Sequence, residues 1–304
     1  TAEQWHAELL GDDLQIRRQA AIATRSIDPP LQRELLPVLI DRLRNEKDGQ
    51  VRLAVLATVT DMGPAAADAV DALAESMRSD FGGNYSERTH QDYRAALALA
   101  AIGKPAVESL RALLHEEATN DRAEAAMALG RIGPAAAEAA GDLIRLLEED
   151  EVRVRDEASR SLGQLGEAAL DELLHASEHP GASVRAAVIE SLGQIAVADD
   201  RRSRAIQNAL SDEQPEVRAA AVRSVESLAL PPDRWQEIML ETLRHDDEAV
   251  RLAAVNSVLQ HRERMEPMKA ALCELLHHES AGVAEHAAYL LHEFGPEAIA
   301  AMLD

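Results

Sequence analysis

Aromatic side chains are scarce in this sequence: two Trp, three Tyr and two Phe in 304 residues. One thick globular core is normally filled with rings as well as aliphatic groups, so this composition argues against one. Thiols are scarcer. Cys273 is the single cysteine, which excludes an internal disulfide framework and a cysteine-based zinc site and says little about compartment. Bases are outnumbered, 31 Lys and Arg against 54 Asp and Glu, for a net charge of −23. A nucleic-acid binder must neutralise phosphates, so no nucleic-acid partner is expected, and anionic membrane surfaces are disfavoured for the same reason. Long hydrophobic runs are missing too. The longest, Ala95 to Gly103, is about nine residues against the ~20 of a membrane-spanning helix, so no membrane insertion is expected. No secretory leader is legible. The chain begins at Thr1 without Met, which points to removal of a leader or of a larger N-terminal portion.

Ala and Leu are abundant, at 57 and 39 residues, nearly a third of the chain. Small and aliphatic side chains suit many thin helix–helix interfaces. A charged content of 28% alongside 46% hydrophobic residues is not that of a disordered chain.

Self-similarity decides the architecture. A Val-Arg pair opening an Ala-rich stretch starts at Val154, Val184, Val217 and Val250. Degenerate copies start at Ile16, Val51, Gln91, Asp121 and Val283. The nine starts are 16, 51, 91, 121, 154, 184, 217, 250 and 283, spaced by 35, 40, 30, 33, 30, 33, 33 and 33 residues. Counted from each start, offset 4 holds small residues, mostly Ala, and offset 8 holds Leu, Val or Thr. Offsets 0, 4, 5 and 8 share one helical face. The first helix of a unit stops at Gly63, Gly103, Gly133 or Gly166, and Pro64, Pro134 and Pro296 suit the first turn of a second helix. That second helix has its own stripe, such as Leu110, Leu113 and Leu114, or Leu143, Ile144 and Leu147. Neither helix buries its stripe alone, whereas stacked pairs do. The expected fold is all-α: one continuous 1–304 solenoid, a superhelix of about nine helical hairpins.

The tracts Val154-Arg155 to Leu162-Gly163, Val184-Arg185 to Leu192-Gly193, and Ala123 to Gly133 carry a resemblance to the HEAT-repeat family. The likeness is to the short bacterial HEAT-like repeats also found in phycobilin lyases, and it covers residues 16 to about 300. It implies the fold and is nearly silent on function. It also implies that second helices line a concave surface. At the ends, a short helix around Ala2–Leu10 carrying Trp5 reads as an N-terminal cap, while the ninth hairpin reads as unfinished at Asp304, as in a fragment of a longer chain.

Four features are candidates for function. Offset 17, on the polar side of the second helix, is Asp68, Glu108, Glu138 and Asp171 in four successive repeats, extended by Asp71, Glu75 and Glu178. That stripe would attract a basic peptide or protein segment. Arg201, Arg202 and Arg204 follow and would make the groove two-toned. The second feature is a break in the period at 79–92, expected as an inserted loop; with Tyr93 it gathers Phe81, Tyr85 and His90, natural binding anchors if exposed. Third, Arg17, Arg52, Arg122, Arg155, Arg185, Arg218 and Arg251 share offset 1. They read first as bridges between repeats, with Asp48, Asp150, Asp212 and Asp246 as nearby acids. Fourth, His245, His261, His277, His278, His286 and His292 crowd the C-terminal part, with His115 and His175 earlier. Positions near helix C-termini explain several of them better than a metal would.

Enzymes built on related repeats are tested by position. The HEAT-like di-iron deoxyhypusine hydroxylases carry His-Glu pairs at offsets 2 and 3. None stands there; His115-Glu116, His278-Glu279 and His292-Glu293 fall elsewhere. HEAT-like alkylpurine DNA glycosylases use basic, aromatic grooves, and nothing in the residues argues for a phycobilin lyase. No phosphate-binding Gly loop or Ser/His/Asp arrangement is legible. The reading is therefore a non-catalytic scaffold or adaptor, with no cofactor, binding a protein or peptide with a basic segment through the acidic face and the 79–93 loop. The alternatives are a bilin- or metal-handling HEAT-like enzyme, or the interaction arm of a larger, truncated enzyme.

Overall fold

The computed structural model describes the chain except residues 79–84, 149–150, 262–263, 265 and 294–304; the side chains of 85–92 and 266 also lie outside the described residues. Among the described residues there is no strand. The chain divides into two compact units, 1–168 and 169–304. Unit 1 holds the cap helix α1 (Ala2–Leu10) and the first helices α2 (Leu14–Ala23), α4 (Gly49–Met62), α6 (Tyr85–Ile102), α8 (Thr119–Ile132) and α10 (Val152–Leu165). Its second helices are α3 (Pro29–Asn45), α5 (Val70–Arg78), α7 (Val107–Leu113) and α9 (Ala140–Leu146). Unit 2 holds the second helices α11 (Leu170–Ala176), α13 (Asp200–Ala209), α15 (Pro232–Leu243) and α17 (Lys269–Leu275). Its first helices are α12 (Ala182–Gln194), α14 (Pro215–Ser224), α16 (Glu248–Gln260) and α18 (Ala281–Glu293). In both units first helix packs on first helix, α8 on α10 and α12 on α14 most extensively. This is an all-α solenoid of helical hairpins.

The periodic positions behave as one buried seam. Ala20, Val55, Ala95, Ala125, Ala158, Val188, Ala221, Ala254 and Ala287 at offset 4 are all buried, as are all nine offset-8 residues from Thr24 to Leu291. The helices begin where side-chain oxygens take orphan N–H groups: Asp48 accepts from Val51 N (3.0 Å), and Asp13, Asp199 and Asp247 do the same for α2, α13 and α16. Small side chains let first helices approach to the limit of backbone contact. A Cβ on Gly130 of α8 would sit 2.8 Å from the Ser161 Cα of α10, and one on Gly193 of α12 would sit 2.8 Å from the Ser224 Cβ of α14. The serines use that closeness: Ser161 Oγ donates to Ala126 O (2.7 Å) and Ser224 Oγ to Ile189 O (3.1 Å) of the preceding first helix.

The corner between paired helices differs from the expectation. Gly63, Gly103, Gly133 and Gly166 have positive φ, but at Gly133 φ 69° is joined to ψ −142°, outside the ordinary left-handed helical well. A side chain is excluded there more firmly than at a simple helix cap. Pro64 and Pro134 then open a 3-10 segment, not the α-helix itself; it kinks at Ala66 and Ala136, and α5 and α9 begin only at Val70 and Ala140. The same corner interrupts Gly49–Arg78, a stretch whose length and mean hydropathy of 1.2 would allow it to cross a membrane. The chain turns at Gly63, φ 55°, and the stretch is two helices packed in the core of unit 1. The segment expected as a loop is helical from Tyr85 onward, as the first turns of α6, and 79–84 lie outside the described residues.

Candidate binding face

The acidic residues singled out in unit 1 lie on second helices and their 3-10 starts. Asp68, Asp71, Glu75, Glu108 and Glu138 are all exposed. α5 packs beside α7, and α7 beside the 3-10 turn carrying Glu138, so equivalent positions follow one another across neighbouring hairpins. Asp68, Asp71, Glu108 and Glu138 have no ion pair among the described residues, whereas Glu75 is held by Arg44 (2.9 Å). Between them a different kind of acid is consumed by structure. Asp142 is buried and accepts from Arg111 (2.6 Å) and from Arg145. Burial pushes the Asp142 carboxyl up, but the two guanidinium groups outweigh it and hold it below the usual range.

In unit 2 the corresponding residue, Asp171, is exposed but paired with Arg201 (2.8 Å), which also binds Asp199 (2.9 Å). Arg201 hydrogen bonding holds the Asp199 carboxyl down to about 2. Arg202 is not part of any basic surface. It is 2% exposed and donates to Leu192 O (2.7 Å), Val197 O and the Ser227 hydroxyl (2.6 Å). Of the three arginines expected to make the groove two-toned, Arg202 is a buried pin and Arg201 is already neutralised, which leaves the exposed Arg204.

The offset-1 arginines are structural bridges with a shared geometry. Five of the seven send Nη1 back to the carbonyl of the fifth residue before their own repeat start: Arg17 to Gly11 (2.8 Å), Arg122 to Glu116 (2.8 Å), Arg185 to His179 (2.9 Å), Arg218 to Asp212 and Arg251 to His245 (2.8 Å), whereas Arg52 donates Nη2 to the Ser76 hydroxyl (2.7 Å). That fifth-before position has a second duty. Its side chain accepts the N–H two residues on: Glu46 from Asp48 (3.0 Å), His179 from Gly181 (3.1 Å), Asp212 from Gln214 (2.9 Å), His245 from Asp247 (2.9 Å) and His278 from Ser280 (3.1 Å). Where it is an acid it also receives the arginine of the preceding repeat, Arg17 on Glu46 (3.1 Å) and Arg185 on both oxygens of Asp212 (2.8 and 2.9 Å). Asp212 was legible as a partner from sequence. Asp48 instead pairs with Arg18 (2.6 Å), and Asp246 offers its carbonyl to Arg251.

Three histidines are thus turn-closing acceptors. His261 belongs to another cluster: its ring meets buried Trp235 edge-on (5.9 Å), Arg264 stacks over the same indole (5.3 Å), and Glu226 receives both Arg264 (3.1 Å) and His261 (3.3 Å). Among the described residues no three His, Cys, Asp or Glu side chains converge as metal ligands would. Of the aromatic group, Tyr93 is exposed (37%) on α6; Phe81 and the side chains of Tyr85 and His90 lie outside the described residues.

The model of the HEAT-repeat family matches residues 107–193, 142–207 and 203–292, more than half of the chain. The chain belongs to the HEAT-repeat family. No curated protein matches it by sequence. Among solved structures, the HEAT stack is similar to that of Kap121p, with 11% identity, a TM-score of 0.59, and 95% of this chain aligned. A Kap121p mutant with three acidic residues replaced by lysine gives 13% identity, a TM-score of 0.60 and 95% coverage. The chain spans 37% of the length of those structures. At such identities the likeness shows the fold.

Proposed function

We propose that this HEAT-repeat chain is a protein-binding scaffold, and that the second-helix face of unit 1 receives a basic segment of its partner. The observation that carries the reading is the exposed row Asp68, Asp71, Glu108 and Glu138, whose charges no ion pair uses up among the described residues. Like charges repel one another, here partly offset at Glu108 and Glu138 by the nearby Arg111 guanidinium, and a cation brought to them relieves that repulsion as well as making contact. The family resemblance implies that second helices line a concave side, and there such a row would be focused by the walls of a groove. Tyr93, exposed on α6, supplies an aromatic surface in the same unit; Phe81, Tyr85 and His90 complete the proposed anchor. Asp171, spent on Arg201, contributes less than its position in the repeat suggests.

The test separates the row from bulk acidity. Two variants of equal net charge are compared: one reverses Asp68, Asp71, Glu108 and Glu138 to Lys, the other reverses exposed first-helix acids Asp156, Glu216, Glu248 and Glu285. Association of an octalysine peptide is followed by stopped flow across a salt series. The row variant should slow association at low salt on the order of tenfold relative to the control. Equal rates for the two variants would end the proposal.

A further inference from the structure

Independently of the acidic row, unit 2 carries a site of opposite character. Arg218 occupies the repeat position of Arg185, yet its surroundings differ at one residue. Arg185 donates Nε and Nη2 to the carboxylate of Asp212, while its Nη1 binds two loop carbonyls. One repeat later, the residue in the place of Asp212 is His245. Arg218 keeps a carbonyl bond through Nη1 to Asp212 O, but its Nε is buried and has no hydrogen-bond partner. A buried guanidinium edge normally costs free energy unless an acceptor meets it.

His245 does not supply that acceptor. Its Nδ1 accepts the N–H of Asp247, which puts the ring hydrogen on Nε2 and makes the free edge of the imidazole a donor. Arg218 and His245 line one cavity of about 340 Å³, a size within the usual range for small-ligand pockets. Its apolar wall is Val222, Leu230 and Ile238. Arg234 lines it as well, already paired with Glu237 (2.6 Å), and exposed Glu241 adds a negative charge. The balance favours a monoanion over a phosphate dianion, and the planar two-donor edge of Arg218 matches a carboxylate.

We infer that this pocket receives a carboxylate carrying a short apolar group, seated on Arg218 as Asp212 is seated on Arg185, with His245 Nε2–H as a further donor and the aliphatic part against Val222, Leu230 and Ile238. A free branched short-chain acid and the C-terminal residue of an aliphatic-ended peptide present the same chemistry. The full chain, labelled with ¹⁵N, is titrated at constant ionic strength with 4-methylpentanoate, with acetyl-Gly-Gly-Leu bearing a free carboxylate, and with its C-terminal amide, following the Arg218 Nε–H resonance. Both carboxylates should give saturable shifts and the amide none. The tighter of the two, by about tenfold, identifies the source. His245→Asp restores the internal carboxylate and should abolish binding while leaving the amide spectrum folded. Glu241→Gln should tighten it. Shifts with the amide equal to those with the acid, unchanged binding in His245→Asp, or no saturation at concentrations on the order of 10 mM would each overturn the inference.

Discussion

Glu46 in unit 1 and His245 in unit 2 solve the same turn with different chemistry. In unit 1 the residues at the fifth-before position include Gly11, Glu46, Ser86 and Glu116, and Glu46 closes its turn and also receives Arg17 and Arg42. In unit 2 the position is His179, Asp212, His245 and His278. Imidazole nitrogen and carboxylate oxygen are equally good acceptors for the turn N–H, so the local structure is indifferent to the choice. The neighbouring repeat is not. A carboxylate has a second oxygen and a charge left for an arginine, and an imidazole whose Nδ1 is engaged has only a donor left. Helix propensity and turn geometry therefore leave the position loosely specified, while cohesion between repeats depends on it.

That contrast can be broken most sharply at Glu46. Glu46→Ala should destabilise unit 1 by about 3 kcal/mol, near the lower end for breaking a buried pair because Arg17 and Arg42 retain some solvent; urea unfolding checks it. Gly130→Ala and Gly193→Ala attack what the units share, the close approach of first helices, and each should cost about 2 kcal/mol by the same measurement. A large difference between those two would show that the seam is not equivalent in the two units. Asp212→His, which makes the Arg185 rung like the Arg218 rung, should cost about 1.5 kcal/mol. The wild-type share of that difference should shrink in acid. The Arg185 hydrogen bond holds the Asp212 carboxyl below its ordinary value, so the wild-type gain is complete above the unfolded pKa and is lost as pH falls through the folded one. The smallest effect is at Asp199. Its carboxyl, held to about 2 by Arg201 and the N–H groups of α13, should stay ionised in a ¹³C titration down to that pH, and Arg201→Gln should move the midpoint up.

The repeat frame carried most of the architecture. Every offset-4 and offset-8 residue is buried because each is fixed by two neighbours at once, its own hairpin and the next. The 3-10 starts after Gly63 and Gly133 were not legible, since Pro at the first turn suits either helix type. The arginine bridges were half legible. Proximity in sequence suggested Asp48, Asp212 and Asp246 equally, but only Asp212 stands at the position whose side chain reaches an offset-1 arginine. The turn-closing role escaped because it is filled by Glu, His and Asp, which share an acceptor atom and no letter. Aligning the loops on the repeat starts would have found it. The acidic row was legible as a pattern; what sequence could not tell was that Asp171 is already ion-paired with Arg201 while Asp68, Glu108 and Glu138 make no ion pair among the described residues.

The seam between first helices has a mechanical corollary. Ser161 and Ser224 tie neighbouring repeats at the centre of the stack, and the arginine rungs tie them at its edge. A linear array held at two lines resists shear only where both lines are complete. At the Arg218 rung the edge tie is missing, so bending stiffness should dip at that joint. A molecule occupying the gap would act there as a removable stiffener, changing the curvature the stack can adopt without altering any hairpin.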